Sequence, residues 1–119
     1  MLEPLALEGN TLFICDFHVA PGTGDEFIRL FREFDYSDAN VMHQDAAQVK
    51  DGVLCRDPND ADHFLLVGEW RSREAHAAAL RQLGKFGTPK FLSLIEGGRL
   101  NPKYVDVVAA TPPEYLGKQ

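Results

Sequence analysis

The sequence predicts a small α+β domain of ferredoxin-like β-α-β-β-α-β order, and three observations support this fold class. Two amphipathic helical patterns alternate with runs rich in β-branched and aromatic residues, and two of those runs lie close enough to form a hairpin. The 119 residues suffice for one domain with one core. We treat 1–119 as a single domain with its core at about 11–110, between a flexible N-terminus and a C-terminal tail. Such elements fold as a four-stranded antiparallel sheet with both helices on one face.

The first strand and the first helix have clear local signals. Residues 11–19 are rich in aromatic and β-branched side chains and end at the turn signal Ala20-Pro21-Gly22. Thr23 and Glu26 have the spacing of a capping box, which predicts a helix start there. The apolar residues that follow at helical spacing are Phe27, Leu30, Phe31 and Phe34.

The second half of the chain begins with a hairpin. Gln48 to Arg56 and His63 to Trp70 are predicted strands, and the polar residues 57–62 between them form a turn. The third strand is almost wholly apolar, which is typical of a central position in a sheet. Ser72 caps the second helix and Gly84 ends it. Its apolar stripe consists of Ala75, Ala78, Ala79, Leu80 and Leu83.

The remaining segments complete the order. A short third helix is predicted at about Pro89 to Glu96, stopped by Gly97-Gly98. The last strand is predicted from Tyr104 to Ala110. Residues 35–46 continue the first helix with a break or form a loop, and the pattern does not distinguish the two.

The sheet face away from the helices predicts a homodimer. Alternation along strands one and three places four apolar side chains on that face: Leu12, Ile14, Leu65 and Val67. So much apolar surface is unusual on a monomer. A second copy of the same sheet is the simplest cover.

The two cysteines are predicted to stay reduced. Cys15 lies in strand one and Cys55 in strand two, without CxxC spacing. In the split βαβ order 4-1-3-2, strand three separates these strands, so that their backbones lie about 9.5 Å apart. That exceeds the Cα separation that a disulfide bridges.

Composition excludes several classes of partner. The formal net charge of −6 argues against nucleic-acid binding, which requires a basic surface. No apolar run approaches the roughly 20 residues of a membrane span. The first residues lack the basic and apolar regions of a signal peptide, so a cytoplasmic location is expected.

Several segments within residues 11 to 110 carry a resemblance to a known family. They are Val19-Ala20-Pro21-Gly22 with Asp25-Glu26-Phe27, Arg56-Asp57-Pro58 with Asp60, and Phe64 to Trp70 followed by Ser72, Glu74 and Ala75. In these segments the chain resembles the antibiotic biosynthesis monooxygenase (ABM) domain family, within the dimeric α+β barrel superfamily. The strand-ending Trp followed by Ser and an acidic residue is the most specific feature.

The resemblance implies a pocket in each subunit between the sheet and its helices. Several family members are cofactor-independent oxygenases of polycyclic phenols and anthrones in aromatic polyketide pathways, whereas others degrade haem or oxidise small quinols. The haem-degrading branch has an Asn where this chain has Cys15, and a His after helix two where Gly84 to Phe91 contain none. The resemblance therefore implies no cofactor.

The same resemblance indicates two candidate catalytic residues. The cofactor-free branch has a Trp at the end of strand three, matched by Trp70, and in some members a Tyr six residues later, where this chain has His76. His76 also lies inside the apolar stripe of helix two. A histidine there is most often a core residue with one satisfied nitrogen. The functional alternative is a base or hydrogen-bond partner for a phenol, with a reference pKa of about 6.5 that burial lowers.

Trp70 likewise has two interpretations. It is either a large core residue or a platform that stacks on a flat substrate while its indole N–H donates to a substrate oxygen. The side chains expected to bind substrate are Phe13, Cys15, Phe17, Phe27, Phe31, Leu66 and Lys90. An aromatic core would show the same pattern. Lys90 is a candidate contact for an anionic substrate, although a solvated surface lysine is the more common situation.

No metal site is predicted. His18, His43 and His63 lack HxH or HxxxH spacing, and each is expected at the surface or at a rim. His43 is the candidate exception among the three, because residues 35–46 could fold over the mouth of a pocket.

The function expected from these observations is a cofactor-independent monooxygenase that oxidises a polycyclic aromatic substrate with O2. An electron-rich phenolate or anthrone carbanion can reduce O2 directly, so the protein has only to remove a proton, orient the ring and exclude water. Two alternatives remain: a polyketide cyclase or isomerase that uses the same pocket, and a non-catalytic ligand-binding dimer.

Overall fold

The computed structural model describes residues 2–85 and 88–117 and has the predicted order of strands and helices. The strands and α-helices are β1 (Thr11–His18), α1 (Gly24–Asp35), β2 (Gln48–Arg56), β3 (His63–Trp70), α2 (Arg73–Gly84) and β4 (Lys103–Asp106). Short 3-10 helices span Val41–Gln44, Lys90–Leu94 and Pro113–Tyr115. The ferredoxin-like α+β fold is thus confirmed.

The four strands form one antiparallel sheet in the order β2-β3-β1-β4. This is the predicted order 4-1-3-2 read from the opposite edge. In the centre, Phe13 of β1 is paired with Gly68 of β3 on one side and with Tyr104 of β4 on the other. Cys15 is buried on β1 and Cys55 is exposed on β2, and both are free thiols.

Both helices cover the face of the sheet that carries Phe13 and Phe17. Phe27 of α1 contacts the rings of Phe17 and Phe64, and His76 of α2 stacks on Phe13. The buried core has two parts. One contains Val19, Phe27, Phe64, Phe91 and Ile95, and the other contains Phe13, Cys15, Trp70 and Ala79.

The start of α1 differs from the predicted capping box. Thr23 makes no side-chain cap bond and donates instead to the Ala20 carbonyl oxygen, 2.6 Å away. The carboxylate of Asp62, from the β2–β3 turn, accepts the backbone N–H groups of Gly22 and Gly24 at 2.9 Å each. A carboxylate at a helix N-terminus satisfies these donors and interacts favourably with the helix dipole. The capping box was wrong because a distant side chain supplies the cap.

The cap of α2 is as predicted. The Ser72 hydroxyl oxygen accepts the backbone N–H of Ala75 at 3.1 Å. The short third helix is a 3-10 helix that ends one residue before Ile95, because Ile95 forms an isolated antiparallel bridge with Val19.

Strand β4 is shorter than predicted. It ends at Asp106, which is paired with Thr11, the first residue of β1. Beyond that point, two backbone bonds between described residues continue the pairing, Gly9 N–H to Val107 O and Val107 N–H to Asn10 O, both 2.9 Å. Residues 107–110 therefore lack a neighbouring strand.

The other sheet face is covered only at one end. Leu12, Ile14, Leu65 and Val67 are half-buried there. Near the end of β3, the buried Glu69 accepts hydrogen bonds from Leu7 N–H and the Asn10 side chain at 2.8 Å. These bonds hold part of the N-terminal segment, expected to be flexible, against the sheet, and Ala6 is buried.

Among the described residues, no helix has the length and hydropathy that crossing a bilayer requires.

Candidate functional site

An apolar cavity lies between the sheet and the two helices. Its volume is about 70 Å³. Six of the predicted site residues line it: Phe13, Cys15, Phe31, Leu66, Trp70 and His76. For comparison, an apolar cavity of roughly 150 Å³ holds one benzene molecule. A flat polycyclic ligand therefore requires the cavity to widen, or extends through its mouth.

His76 forms the inner end of the cavity. It lies in the first turns of α2, beginning at the Ser72 cap, and it is only 2% exposed. Its ring stacks on Phe13 with a centroid separation of 4.1 Å and meets the edge of Trp70 at 5.0 Å. The prediction that His76 faces the core side of helix two is confirmed.

Burial determines the protonation state of His76. Loss of hydration lowers the pKa of the imidazole from 6.5 to about 4. The ring is therefore neutral at pH 7, with one nitrogen carrying a hydrogen and the other a lone pair.

Tyr104 is the hydrogen-bond partner of His76. The distance from its hydroxyl oxygen to His76 Nδ1 is 2.8 Å. In one tautomer the Tyr104 hydroxyl donates to Nδ1, and in the other Nδ1–H donates to the hydroxyl oxygen. No described residue forms a hydrogen bond with Nε2 of His76, so that nitrogen is free to donate to a ligand or to accept from it.

Sequence reasoning missed Tyr104, although part of the signal was present. The predicted strand order places β4 beside β1, and Tyr104 begins the predicted last strand. The pairing of Tyr104 with Phe13 is what brings it to the helix-covered face. Burial raises the pKa of the Tyr104 hydroxyl, and the nearby Cys15 adds to the effect.

Trp70 closes the cavity beside His76. It ends β3, opposite Thr11 of β1, and is 1% exposed. No described residue accepts a hydrogen bond from its indole N–H. The indole N–H is therefore able to donate to a ligand oxygen in the cavity.

The walls of the cavity are largely apolar. Phe13 and Leu66 come from the sheet and Phe31 from α1. Cys15, also in the wall, is 2% exposed, and burial raises the pKa of its thiol to about 11. The thiol is therefore protonated at neutral pH and acts as a small apolar group.

Three residues predicted to bind substrate lie elsewhere. Phe27 is fully buried against Phe17, Phe64 and Phe91 in the other part of the core. Phe17 is half-buried and packs against both parts of the core without lining the cavity. Lys90 is exposed at the start of its 3-10 helix. For the two phenylalanines, the buried face of the strand or helix was predicted correctly. Their position along that strand or helix places them beside the cavity and not in its wall.

The polar mouth of the cavity comes from the segment that the sequence left undecided. Residues 35–46 contain the end of α1 and the 3-10 helix Val41–Gln44. His43 Nε2 lies 3.1 Å from Asp35 Oδ1 and 3.4 Å from Asp51 Oδ1. All three residues line the mouth, as expected for His43.

The other two histidines lie on the uncovered sheet face, away from the cavity. His18 and His63 stack at 4.3 Å between ring centroids. His63 contacts Asp16 at 2.5 Å and Asp57 at 3.1 Å, and these hydrogen bonds raise the pKa of its imidazole. Across residues 2–85 and 88–117, no group of three or more His, Cys, Asp or Glu side chains could hold a metal ion.

Comparison with known proteins identifies relatives by fold. No protein-family model and no curated protein sequence matches the chain. Among solved structures, the cofactor-independent oxygenase SnoaB of Streptomyces nogalater is 17% identical with a TM-score of 0.63, and the match covers 88% of this chain and 98% of SnoaB.

Two further structures have the same fold. One is a protein of Chloroflexus aurantiacus described as an antibiotic biosynthesis monooxygenase, with 21% identity, a TM-score of 0.59, and coverage of 87% of this chain and 97% of that one. The other, from an uncultured marine organism, is a dimeric ferredoxin-like protein with 16% identity, a TM-score of 0.62, and coverage of 86% and 90%. The chain thus shares the fold of proteins named for this monooxygenase family.

Proposed function

We propose that the protein is a cofactor-independent monooxygenase that oxidises an electron-rich polycyclic phenol or anthrone with O2. The observation that carries the proposal is the neutral His76 imidazole at the inner end of an apolar cavity, beside the indole of Trp70. The shared fold with SnoaB, which is a cofactor-independent oxygenase, supports it.

His76 is proposed to handle the proton. With Nδ1–H donating to Tyr104, Nε2 carries the lone pair and accepts a proton from the acidic CH2 or hydroxyl of the ligand. Because the pKa of His76 is about 4, the base is weak, and the ligand must form a stabilised phenolate or enolate. In the opposite tautomer, Nε2–H donates a hydrogen bond to the ligand oxygen.

The oxidation itself needs only the ligand anion and O2. The anion transfers one electron to O2, and the two radicals combine to a peroxide at the ring carbon. Protonated His76 returns its proton to the peroxide anion. Loss of water from the resulting hydroperoxide leaves a carbonyl, so an anthrone and O2 give a quinone and H2O. One oxygen atom enters the product and the other leaves as water. The indole N–H of Trp70 is proposed to donate to the peroxide oxygen, and the apolar walls exclude water from the radical pair.

Oxygen uptake tests this proposal. With anthrone as substrate, and after treatment of the protein with a chelator, we expect O2 consumption and a product in which one oxygen replaces two hydrogens. Labelled O2 should place one labelled atom in the quinone. A product of unchanged mass without O2 consumption would instead identify a cyclase or isomerase that uses the same His76–Tyr104 pair. Binding without turnover across a panel of anthrones and naphthols would identify a ligand-binding module.

We also propose that the protein is a homodimer whose subunits meet through the uncovered sheet face. Leu12, Ile14, Leu65 and Val67 supply its apolar surface. Light scattering at micromolar concentration should give about 27 kDa, twice the chain mass of 13.3 kDa. Val67→Asp should shift the population towards 13.3 kDa, whereas Val108→Asp, which is exposed beyond β4, should leave it unchanged. A monomeric parent protein would contradict the proposed interface.

A further inference from the structure

We infer that the mouth of the cavity selects neutral aromatic ligands that carry a hydroxyl or amino donor at their outer end, and rejects ligands that carry a carboxylate there. This inference rests on the proposed ligand cavity and specifies the class of molecule that it takes. Lys90, the candidate contact for an anionic substrate, is exposed and does not line the cavity.

The charged groups that line the cavity are two carboxylates, with the imidazole of His43 between them. Asp35 and Asp51 line the mouth together with His43. Within the described part of the chain, no lysine or arginine lines the cavity. The three mouth groups sum to a negative charge whether His43 is neutral or protonated. At the inner end, His76 is neutral, so no charged side chain among the described lining residues compensates an anionic ligand.

The two carboxylates retain free acceptor capacity. Asp35 Oδ1 accepts from Asn40 Nδ2 at 3.0 Å and contacts His43 Nε2, while Asp51 Oδ1 accepts from Gly52 N–H at 3.0 Å. No described residue donates to Oδ2 of either side chain. These oxygens can therefore accept hydrogen bonds from a ligand hydroxyl or amino group, and a ligand carboxylate offers no donor.

A second observation points independently to a ligand. His76 is 2% exposed, lines the inner end of the same cavity and has a ring nitrogen with no partner among the described residues. Asp35 of α1 and Asp51 of β2 line the same cavity as His76 and are more exposed than it. A ligand bound against His76 and extending outward is therefore directed towards these two carboxylates. Its outer end then lies within a few ångströms of both carboxylates. At that range, partly shielded from water, we expect one extra negative charge to weaken binding by roughly tenfold or more.

Two matched fluorescent probes test the inference. 9-Anthracenemethanol is neutral, and 9-anthracenecarboxylate has the same ring with an anionic group. Their fluorescence anisotropy gives Kd directly, without turnover. We expect the carboxylate to bind the parent protein at least tenfold more weakly, with the ratio falling at high salt. In Asp35→Asn/Asp51→Asn the ratio should fall below about threefold.

The control variant also removes two negative charges, at positions outside the cavity. Asp38 and Asp106 are exposed and do not line the cavity, so Asp38→Asn/Asp106→Asn should keep the parent ratio. The single change Asp51→Asn alters a side chain that is 59% exposed and should by itself halve the ratio or lower it further, which guards against misfolding of the double variant.

Equal affinity of the parent for the two probes would overturn the selectivity alone, as would an equal fall of the ratio in both double variants. Failure of both probes to bind would overturn the ligand cavity and the selectivity together. Oxygen uptake is measured separately, so a protein that discriminates between the probes but consumes no O2 would retain this inference and lose the proposed oxygenase reaction.

Discussion

His76→Leu should lower kcat for O2-dependent oxidation by about 10²–10⁴ while leaving the Kd of the substrate within a few-fold, if His76 handles the proton. Leucine suits the apolar surroundings formed by Phe13 and Trp70, so the fold should persist. The reading that His76 only fills space predicts turnover within a few-fold of the parent. Oxygen uptake under saturating substrate, with affinity measured in parallel, separates the two.

Two further variants test how much the Trp70 N–H and the Tyr104 hydroxyl contribute to turnover. Trp70→Phe keeps an apolar ring and deletes the N–H, so it should slow oxygen chemistry more than it weakens binding. Tyr104→Phe removes the hydroxyl 2.8 Å from His76 Nδ1 while leaving the imidazole in place. It should reduce kcat less than His76→Leu does, because a hydrogen bond is lost but not the base. Full turnover in both His76→Leu and Trp70→Phe would refute the site assignment even with the fold intact.

The pH profile provides an independent check of the same role. Because burial lowers the pKa of His76 to about 4, turnover that depends on the neutral ring should stay constant from pH 8 to about pH 5.5. It should fall only as the pH approaches 4. A decline centred near pH 6.5 would indicate an imidazole with ordinary hydration, and would contradict the buried site.

The free energy of unfolding should also depend on His76, by up to about 3 kcal/mol between pH 6.5 and pH 4. The pKa is about 4 in the folded protein and 6.5 for the reference group. Between these values the unfolded chain binds a proton that the native protein does not. Stability from the neutral His76 is therefore complete above pH 6.5 and is lost as the pH falls towards 4.

Urea unfolding of the parent and of His76→Leu, at one protein concentration, measures this contribution. The difference in free energy of unfolding between the two proteins should shift against the parent on acidification. Other titratable groups also make stability depend on pH, among them His63, whose pKa is raised by Asp16 and Asp57. They are present in both proteins and cancel in the difference. A difference that stays constant from pH 7 to pH 4.5 would mean that His76 is not buried in its neutral form.

The secondary structure and the sheet order were predictable because they depend on local periodicity and on a small set of allowed connections. The alternation in β1 placed Phe13 and Cys15 on the helix-covered face, and the stripe in α2 placed His76 towards the same face. Trp70 ends β3 and α2 begins three residues later, at Arg73. The proximity of Trp70 and His76 therefore follows from short-range geometry. Chain connectivity therefore brings together Trp70 and His76, the two residues that the family resemblance had indicated.

Contacts between distant segments required the tertiary structure. The capping box at Thr23 was a plausible local solution, but Asp62, 38 residues after Gly24, satisfies the helix N-terminus instead. Tyr104 reaches His76 only through the pairing of β4 with β1.

The mouth of the cavity also depends on contacts that the sequence did not predict. Asp35, His43 and Asp51 meet because residues 35–46 cross from α1 to β2 without a periodic pattern that would predict their path. Hydrophobic periodicity specifies which face of an element is buried, whereas hydrogen bonds and charges between elements depend on register and on loop geometry. The sequence by itself thus determined the fold and the apolar interior of the site, and the tertiary structure decided the partner of His76 and the charge at the entrance.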